Sequence, residues 1–229
     1  MLKDLFFPKL CLVCGHFGCY ICGTCEKKLQ PVILNTCLYC GKPSYLGLTH
    51  TSCAKEDGID GILSLYSYNY VMRAIIKNIK YKGVYDAFHE LFYVVSETSI
   101  LKFYKFKRLY PVASLQAIPL HENKMKSRGF NQSVYIAKFF QSLFGHTTVN
   151  FLTRTKQTSA QAQIKDRKTR SANMKDAFSL VKTNTNQINM EIVILIDDVV
   201  TTGSTVKEAA KVLKKEGIQK VFVYSFARG

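Results

Sequence analysis

Cysteine is missing from residues 54–229 of this 229-residue chain; all eight stand between Cys11 and Cys53. Acidic residues are scarce, with 16 Asp+Glu against 32 Lys+Arg, a formal net charge of +16. No apolar run reaches the roughly 18 residues that a membrane-spanning helix needs. Met1–Cys14 has neither the apolar centre nor the small-residue cleavage site of a secretory signal. Apart from the cysteine pairs there is no internal repeat, and there is no long low-complexity tract. These absences exclude a membrane span and a secreted disulfide scaffold, whose cysteines would be spread along the chain. A hydrophobic content of 47% and an aromatic content of 12% exclude a disordered polycation. The expectation is a soluble, cytoplasmic protein of one ordinary domain plus a small appendage.

The cysteines that are present sit at metal-binding spacing. Cys11-x2-Cys14, Cys22-x2-Cys25 and Cys37-x2-Cys40 are three C-x2-C pairs, and His50-x2-Cys53 is a mixed fourth. Two thiolates so spaced fit one tetrahedral Zn²⁺, and Gly15 and Gly41 allow the tight knuckle turn. Four pairs fill two sites, or one site with remnants of a second; the spacing does not say which pairs share a metal. The expected ligands are Cys11, Cys14, Cys22, Cys25, Cys37, Cys40 and Cys53. Cys19 belongs to no pair. A lobe of this size, poor in aliphatics, needs such a staple. The cysteines end before Asp57-Gly58, which sets the expected division: a zinc module over 1–57 and a larger domain over 58–229.

Beyond that point, periodicity predicts alternating strands and helices. Strands are expected at Ile62–Tyr68, Leu115–Leu120, Thr147–Leu152, Glu191–Ile196 and Lys220–Phe226. Helices are expected at Val71–Tyr81, from Gly83 to about residue 105, at Ser133–Phe144 before Gly145, and at Ser204–Glu216 before Gly217. Thr153–Lys175 reads as a mobile loop or frayed helix. Such alternation implies an α/β fold with a mostly parallel sheet and helices on both faces.

The chemistry is concentrated in Ile192-Val193-Ile194-Leu195-Ile196-Asp197-Asp198-Val199-Val200-Thr201-Thr202-Gly203-Ser204-Thr205. Five aliphatics make a buried strand, and two carboxylates stand at its C-terminal end, where open α/β sheets bind ligands. The hydroxyl- and glycine-rich turn opens a helix, and its backbone N–H groups suit a phosphate. The carboxylates suit sugar hydroxyls, or a Mg²⁺ held together with substrate oxygens. No lysine follows the glycine as in a Walker A loop, and no G-x-G-x-x-G opens an early helix.

This run resembles the sugar-phosphate motif of type I phosphoribosyltransferases. The resemblance implies that Asp197 and Asp198 hold the ribose hydroxyls while Val200, Thr201, Thr202, Gly203, Ser204 and Thr205 take the 5′-phosphate. Arg128-Gly129-Phe130-Asn131-Gln132, the strand Gln116–Leu120, Leu152–Lys156, Gln161, Arg167, Asn173 and Ala177-Phe178 extend it. With the N-terminal cysteine pairs, this order is similar to the ComF family of competence-associated phosphoribosyltransferase-like proteins, over essentially the whole chain. The resemblance places Ile118 and Pro119 in the pyrophosphate-loop position, although Gln116-Ala117 stands where relatives carry Val-Pro. His50 stands where many relatives carry Cys. It also implies a hood loop whose Arg154 and Lys156, with Arg167 third, neutralise a departing pyrophosphate as catalytic groups alongside Asp197 and Asp198.

Between Leu101 and Lys175 stand fifteen basic residues and two acidic ones, Glu122 and Asp166, a surplus of thirteen. Lys102, Lys105, Lys107 and Arg108 interleave with Phe103, Tyr104, Phe106 and Tyr110, a pattern suited to single-stranded DNA. The same patch would meet an anionic membrane surface. Three functions stay open at this stage. One is a phosphoribosyl diphosphate-binding protein of natural competence that handles incoming single-stranded DNA, with competence-machinery proteins as further partners. The second is an active phosphoribosyltransferase of nucleobase metabolism with an unidentified acceptor, and the third a non-catalytic zinc and nucleic-acid-binding adaptor.

Overall fold

A computed structural model describes residues 8–156, 174–181 and 191–229. Strand β1 (Gly61–Ser67) leads into helix α1 (Tyr70–Lys82). Asn69 starts that helix by accepting from the Met72 N–H at 3.0 Å, and Gly83 ends it at φ 66°. Its buried residues Val71, Met72, Ile75, Ile76 and Ile79 fall at helical spacing on one face.

The single helix expected from Gly83 to about residue 105 is two: α2 (Ala87–Tyr93) and α3 (Glu97–Leu109). The break falls at Val94-Val95, and Ser96 caps the new helix by accepting from the Ser99 N–H at 3.3 Å. Strand β2 (Ser114–Ala117) stops short of Pro119, which has no N–H to give a ladder. A short helix that periodicity did not announce, α4 (Glu122–Arg128), precedes α5 (Gln132–Phe144). The strand expected at Thr147–Leu152 divides into β3 (Thr147–Val149) and β4 (Leu152–Arg154), which belong to different sheets. After β5 (Phe178–Leu180), strand β6 (Ile192–Val200) runs on through both carboxylates instead of ending at Ile196. Helix α6 (Ser204–Lys215) and strand β7 (Lys220–Arg228) complete the chain.

Among the described residues the main sheet has the order β1-β7-β6-β2-β3, and every pairing in it is parallel. β4 and β5 form a separate antiparallel pair. Alternate residues of the central strands face opposite cores, so their sequences read as unbroken apolar runs. Ile194, Ile196, Phe222 and Tyr224 pack with Phe103 and Phe106 of α3 and Phe140 of α5. Val193, Leu195, Val221 and Val223 pack with Val206, Ala209, Ala210 and Leu213 of α6. Each fully buried large side chain contributes about 1.5–3 kcal/mol.

The cysteine-rich lobe is fastened to both cores. Leu12, Ile21, Leu29 and Leu46 join the first core and Leu38 joins the second. Glu90 of α2 accepts from the N–H groups of Tyr20 and Ile21 at 2.6 and 3.0 Å. Lys102 of α3, expected on an accessible basic face, is instead buried at 9% exposure and donates to the Val32 carbonyl at 2.6 Å. Burial moves its pKa down to about 8. Phe103 and Phe106 are likewise core residues, because the helical period that spaces them turns them inward. No helix among the described residues is long and apolar enough to cross a membrane.

Candidate sugar-phosphate site and zinc centres

The two carboxylates lie side by side on β6 yet meet different partners. Asp198, 7% exposed, is ion-paired with Lys80 near the end of α1. Burial alone would raise its pKa, but the Lys80 ammonium outweighs this and holds it below the ordinary carboxylate value. Asp197 accepts from the Asp198 N–H at 2.9 Å and from the Ser133 hydroxyl at 3.4 Å. Burial and the neighbouring Asp198 charge push its pKa up.

Three cations from three segments converge on this pair, and a fourth stands beside them. Besides Lys80, Arg128 at the end of α4 is attracted to Asp198, and Arg154 at the end of β4 to Asp197. Lys124 is moved down to about 8, by burial first and then by Arg154, Arg128 and Lys80. A site that brings more positive than negative charge together, and part-buries it, suits a polyanion. Lys156, next along the chain from β4, is exposed, its ammonium donating to the Lys175 carbonyl at 3.4 Å.

The turn after β6 is built by Gly203, which adopts φ 73° at the start of α6. Gly203 has no side chain to cap that twelve-residue helix, and the Thr202 hydroxyl oxygen accepts from the Ser204 N–H at 3.4 Å. The hydroxyls of Thr202 and Ser204 are 2.5 Å apart, and Lys207 donates to the Thr202 carbonyl at 3.2 Å. Asp197, Val199, Val200, Thr201, Gly203, Ser204 and Thr205 line one small depression. Ile118 stands beside them, its N–H donating to the Ile196 carbonyl at 2.9 Å and its carbonyl accepting from Asn131 at 3.0 Å. The R-G-F-N-Q-S run therefore braces the site from three positions: Arg128 toward Asp198, Asn131 on Ile118, and Ser133 on Asp197.

Gln116, which stands where relatives carry an apolar residue, is buried and ties the end of β2 to the connection between β3 and β4. Its amide donates to the Ala117 carbonyl at 2.7 Å and its oxygen accepts from the Phe151 N–H at 2.6 Å. Arg167, Gln161 and Asn173 lie outside the described residues. Lys80, Lys124 and Ser133 were not singled out from the sequence. Nothing distinguishes a lysine at a helix end from a solvated charge until the fold brings it against the acids.

The cysteine pairs sort into two clusters, Cys11/Cys14/Cys22/Cys25 and Cys37/Cys40/His50/Cys53. Within each, the four donor atoms lie within 4.8 Å of one another. Thiolates about 2.3 Å from a tetrahedral Zn²⁺ stand about 3.8 Å apart, so the donor sets fit that ion. His50 is the fourth donor of the second cluster, its Nδ1 3.2 Å from Cys40 Sγ and its Nε2 3.0 Å from the Pro43 carbonyl. Burial works against ionising Cys11 and Cys37, yet surrounding backbone N–H groups bring both down to about 6, whereas burial and the neighbouring thiols push Cys25 up to about 12 and raise Cys53. A metal requires the thiolate form of each. Cys19 joins neither cluster.

A parallel sheet with paired carboxylates and a hydroxyl turn at one strand end, joined to a two-centre zinc lobe, defines a phosphoribosyltransferase-type protein with a double zinc ribbon. Residues 133–229 match the phosphoribosyl transferase domain family, and residues 2–55 match the double zinc ribbon domain family. Competence protein F of Haemophilus influenzae is 26% identical over 217 residues, 91% of this chain and 90% of its own. Competence protein ComFC of Bacillus subtilis is 27% identical over 209 residues, 86% of this chain and 79% of its own. DNA utilization protein YhgH of Escherichia coli K12 is 27% identical over 238 aligned positions, 98% of this chain and 99% of its own. These matches support the similarity to the ComF family.

Proposed function

We propose that this chain binds phosphoribosyl diphosphate with Mg²⁺ and acts in natural competence, handling incoming single-stranded DNA in the cytoplasm. The observation that carries the reading is the acid pair on β6, followed by the hydroxyl-rich Thr201–Thr205 turn that opens α6 and accompanied by Lys80, Lys124, Arg128 and Arg154. In this reading the zinc lobe is 1–57 and the ligand-binding domain 58–229. Asp197 and Asp198 accept from the ribose hydroxyls, while Val200, Thr201, Thr202, Gly203, Ser204 and Thr205 receive the 5′-phosphate. The diphosphate lies toward Ile118-Pro119 and the cations, with Arg154 and Lys156 offsetting charge on a departing pyrophosphate. The carboxylates are the hard oxygen donors that suit Mg²⁺, which when bound offsets the diphosphate charge. The competence role is supported by the names of two relatives, and DNA handling by the name of the third.

Titration calorimetry tests the ligand assignment. The wild type should bind phosphoribosyl diphosphate more tightly with Mg²⁺ than without. An Asp197→Asn/Asp198→Asn variant should lose most of that affinity. Equal affinity in the two proteins overturns the site.

A further inference from the structure

The second zinc cluster lies against the phosphate turn, and the contact is threefold. Leu38, between the ligands Cys37 and Cys40, is 6% exposed and packs in the core that contains Val200 and Val206. It meets Gly203 so closely that a β-carbon added to that glycine would stand 3.2 Å from both Leu38 methyl groups. Arg228, the register partner of Val200, donates to the carbonyls of Thr36 and Cys37 at 2.7 and 3.3 Å. Tyr39 lies under the Lys207 ammonium, 4.8 Å from ring centroid to nitrogen, and Lys207 in turn donates to the Thr202 carbonyl. Thus four consecutive residues, Thr36 to Tyr39, touch the end of β7 beside β6, the turn and the first turn of α6. The first cluster docks elsewhere: Asn78 of α1 donates to the Leu12 carbonyl, and Glu90 of α2 accepts from Tyr20 and Ile21.

We infer that the second zinc centre sets the geometry of the phosphate turn, with Leu38 as the positioning residue. The position of the Cys37–Cys40 knuckle depends on its metal, because so small a lobe has little apolar surface of its own. When the cluster loses its ion, Leu38 leaves the face of Gly203 and Arg228 loses two acceptors. The turn then opens on its zinc-facing side. Because coupling between two binding events is reciprocal, a ligand that clamps the turn should also slow zinc loss from the second cluster, and from that cluster alone. This last step rests on the phosphoribosyl diphosphate reading; the coupling of metal to turn does not.

Hydrogen exchange on the full-length, zinc-loaded protein tests it, followed in peptides spanning 200–206. Leu38→Ala should keep both zinc ions yet exchange in that segment about tenfold faster, and Leu38→Met should restore the wild-type rate. Cys40→Ser should lose one zinc ion and speed exchange there, whereas Cys14→Ser should lose the other and leave the segment unchanged. Unchanged exchange in Leu38→Ala overturns the inference, as does a Cys40→Ser protein that lacks its ion but keeps a protected turn. Should either cysteine variant fail to fold, release of zinc from wild type to a chromogenic chelator provides a second reading. Phosphoribosyl diphosphate should slow one of the two release phases, and equal slowing of both counts against the coupling. Altered exchange in Leu38→Ala together with no ligand binding by wild type would instead sink the ligand assignment and leave the coupling standing.

Discussion

The ammonium of Lys80 is paired with the carboxylate of Asp198, across the boundary between α1 and the sheet. Both side chains are largely buried, so removing one partner leaves a charge without compensation. Lys80→Met should therefore destabilise the fold by about 3–5 kcal/mol, and Lys80→Met/Asp198→Asn should recover much of that loss. Urea unfolding of the four proteins checks the cycle. The pH dependence has a definite sign. Asp198 is held below its unfolded value, so its contribution is complete above the ordinary carboxylate range and is lost as pH falls through the lower folded pKa. A cycle with no coupling energy would mean that the pair does not form in solution.

Lys124 gives ligand binding a different pH signature. Burial and three neighbouring cations bring it to about 8, so its charge is partly lost just above neutrality. A polyanion favours the protonated form, so affinity for phosphoribosyl diphosphate should fall as pH rises through 8. Binding at that pH should be accompanied by proton uptake, read by calorimetry in buffers of different ionisation enthalpy. Lys124→Gln should remove the step. Lys126→Gln should keep it, since Lys126 is exposed and paired with Glu122.

How much of this was legible in the sequence depended on whether a feature is local. The acid pair and the Thr201–Thr205 turn are consecutive, so strand, turn and helix start could be read as one unit. The metal-spaced pairs were legible for the same reason, two at a time. Their grouping was not, because it depends on chain reversals between pairs. Lys80, Arg128 and Arg154 come from three separate segments, and only the packing of α1, α4 and β4 brings them together. Lys102 shows the opposite failure. Its basic, aromatic neighbourhood resembles an exposed patch, but the helical period points it at Val32.

That buried lysine also makes a stability prediction. Its pKa is lowered from the usual 10.5 to about 8, so between those values the folded chain binds fewer protons than the unfolded one. Stability should rise with pH across that interval, by about 3 kcal/mol at most. Lys102→Met should flatten the rise, as followed by thermal unfolding between pH 7 and 10. A wild type whose stability stays level there would place the ammonium in water.

The metal content is expected to be two zinc ions per chain, matching the two clusters. His50→Ala should reduce it to one, whereas Cys19→Ser should retain both. Elemental analysis of freshly purified, reduced protein decides between these outcomes. A single ion in wild type would remove His50 from the ligand set.

Contact with single-stranded DNA, if it uses α3, must rely on the cations that helix leaves in water. Lys105 and Arg108 are exposed, and Tyr104 between them is 48% exposed and available for stacking on a base. Lys107 is half engaged, donating to the Pro111 carbonyl at 2.7 Å. Lys102 is excluded by its burial, and reversing its charge would test folding rather than binding. Each phosphate neutralised contributes about −0.7 to the slope of log affinity against log salt. Lys105→Glu/Arg108→Glu should thus make the slope shallower by about 1.4, while leaving phosphoribosyl diphosphate binding intact. A wild-type slope near zero would remove the physical basis for DNA handling. An unchanged slope in the variant, with wild type steeply salt-dependent, would move the contact away from α3 to the remaining basic residues.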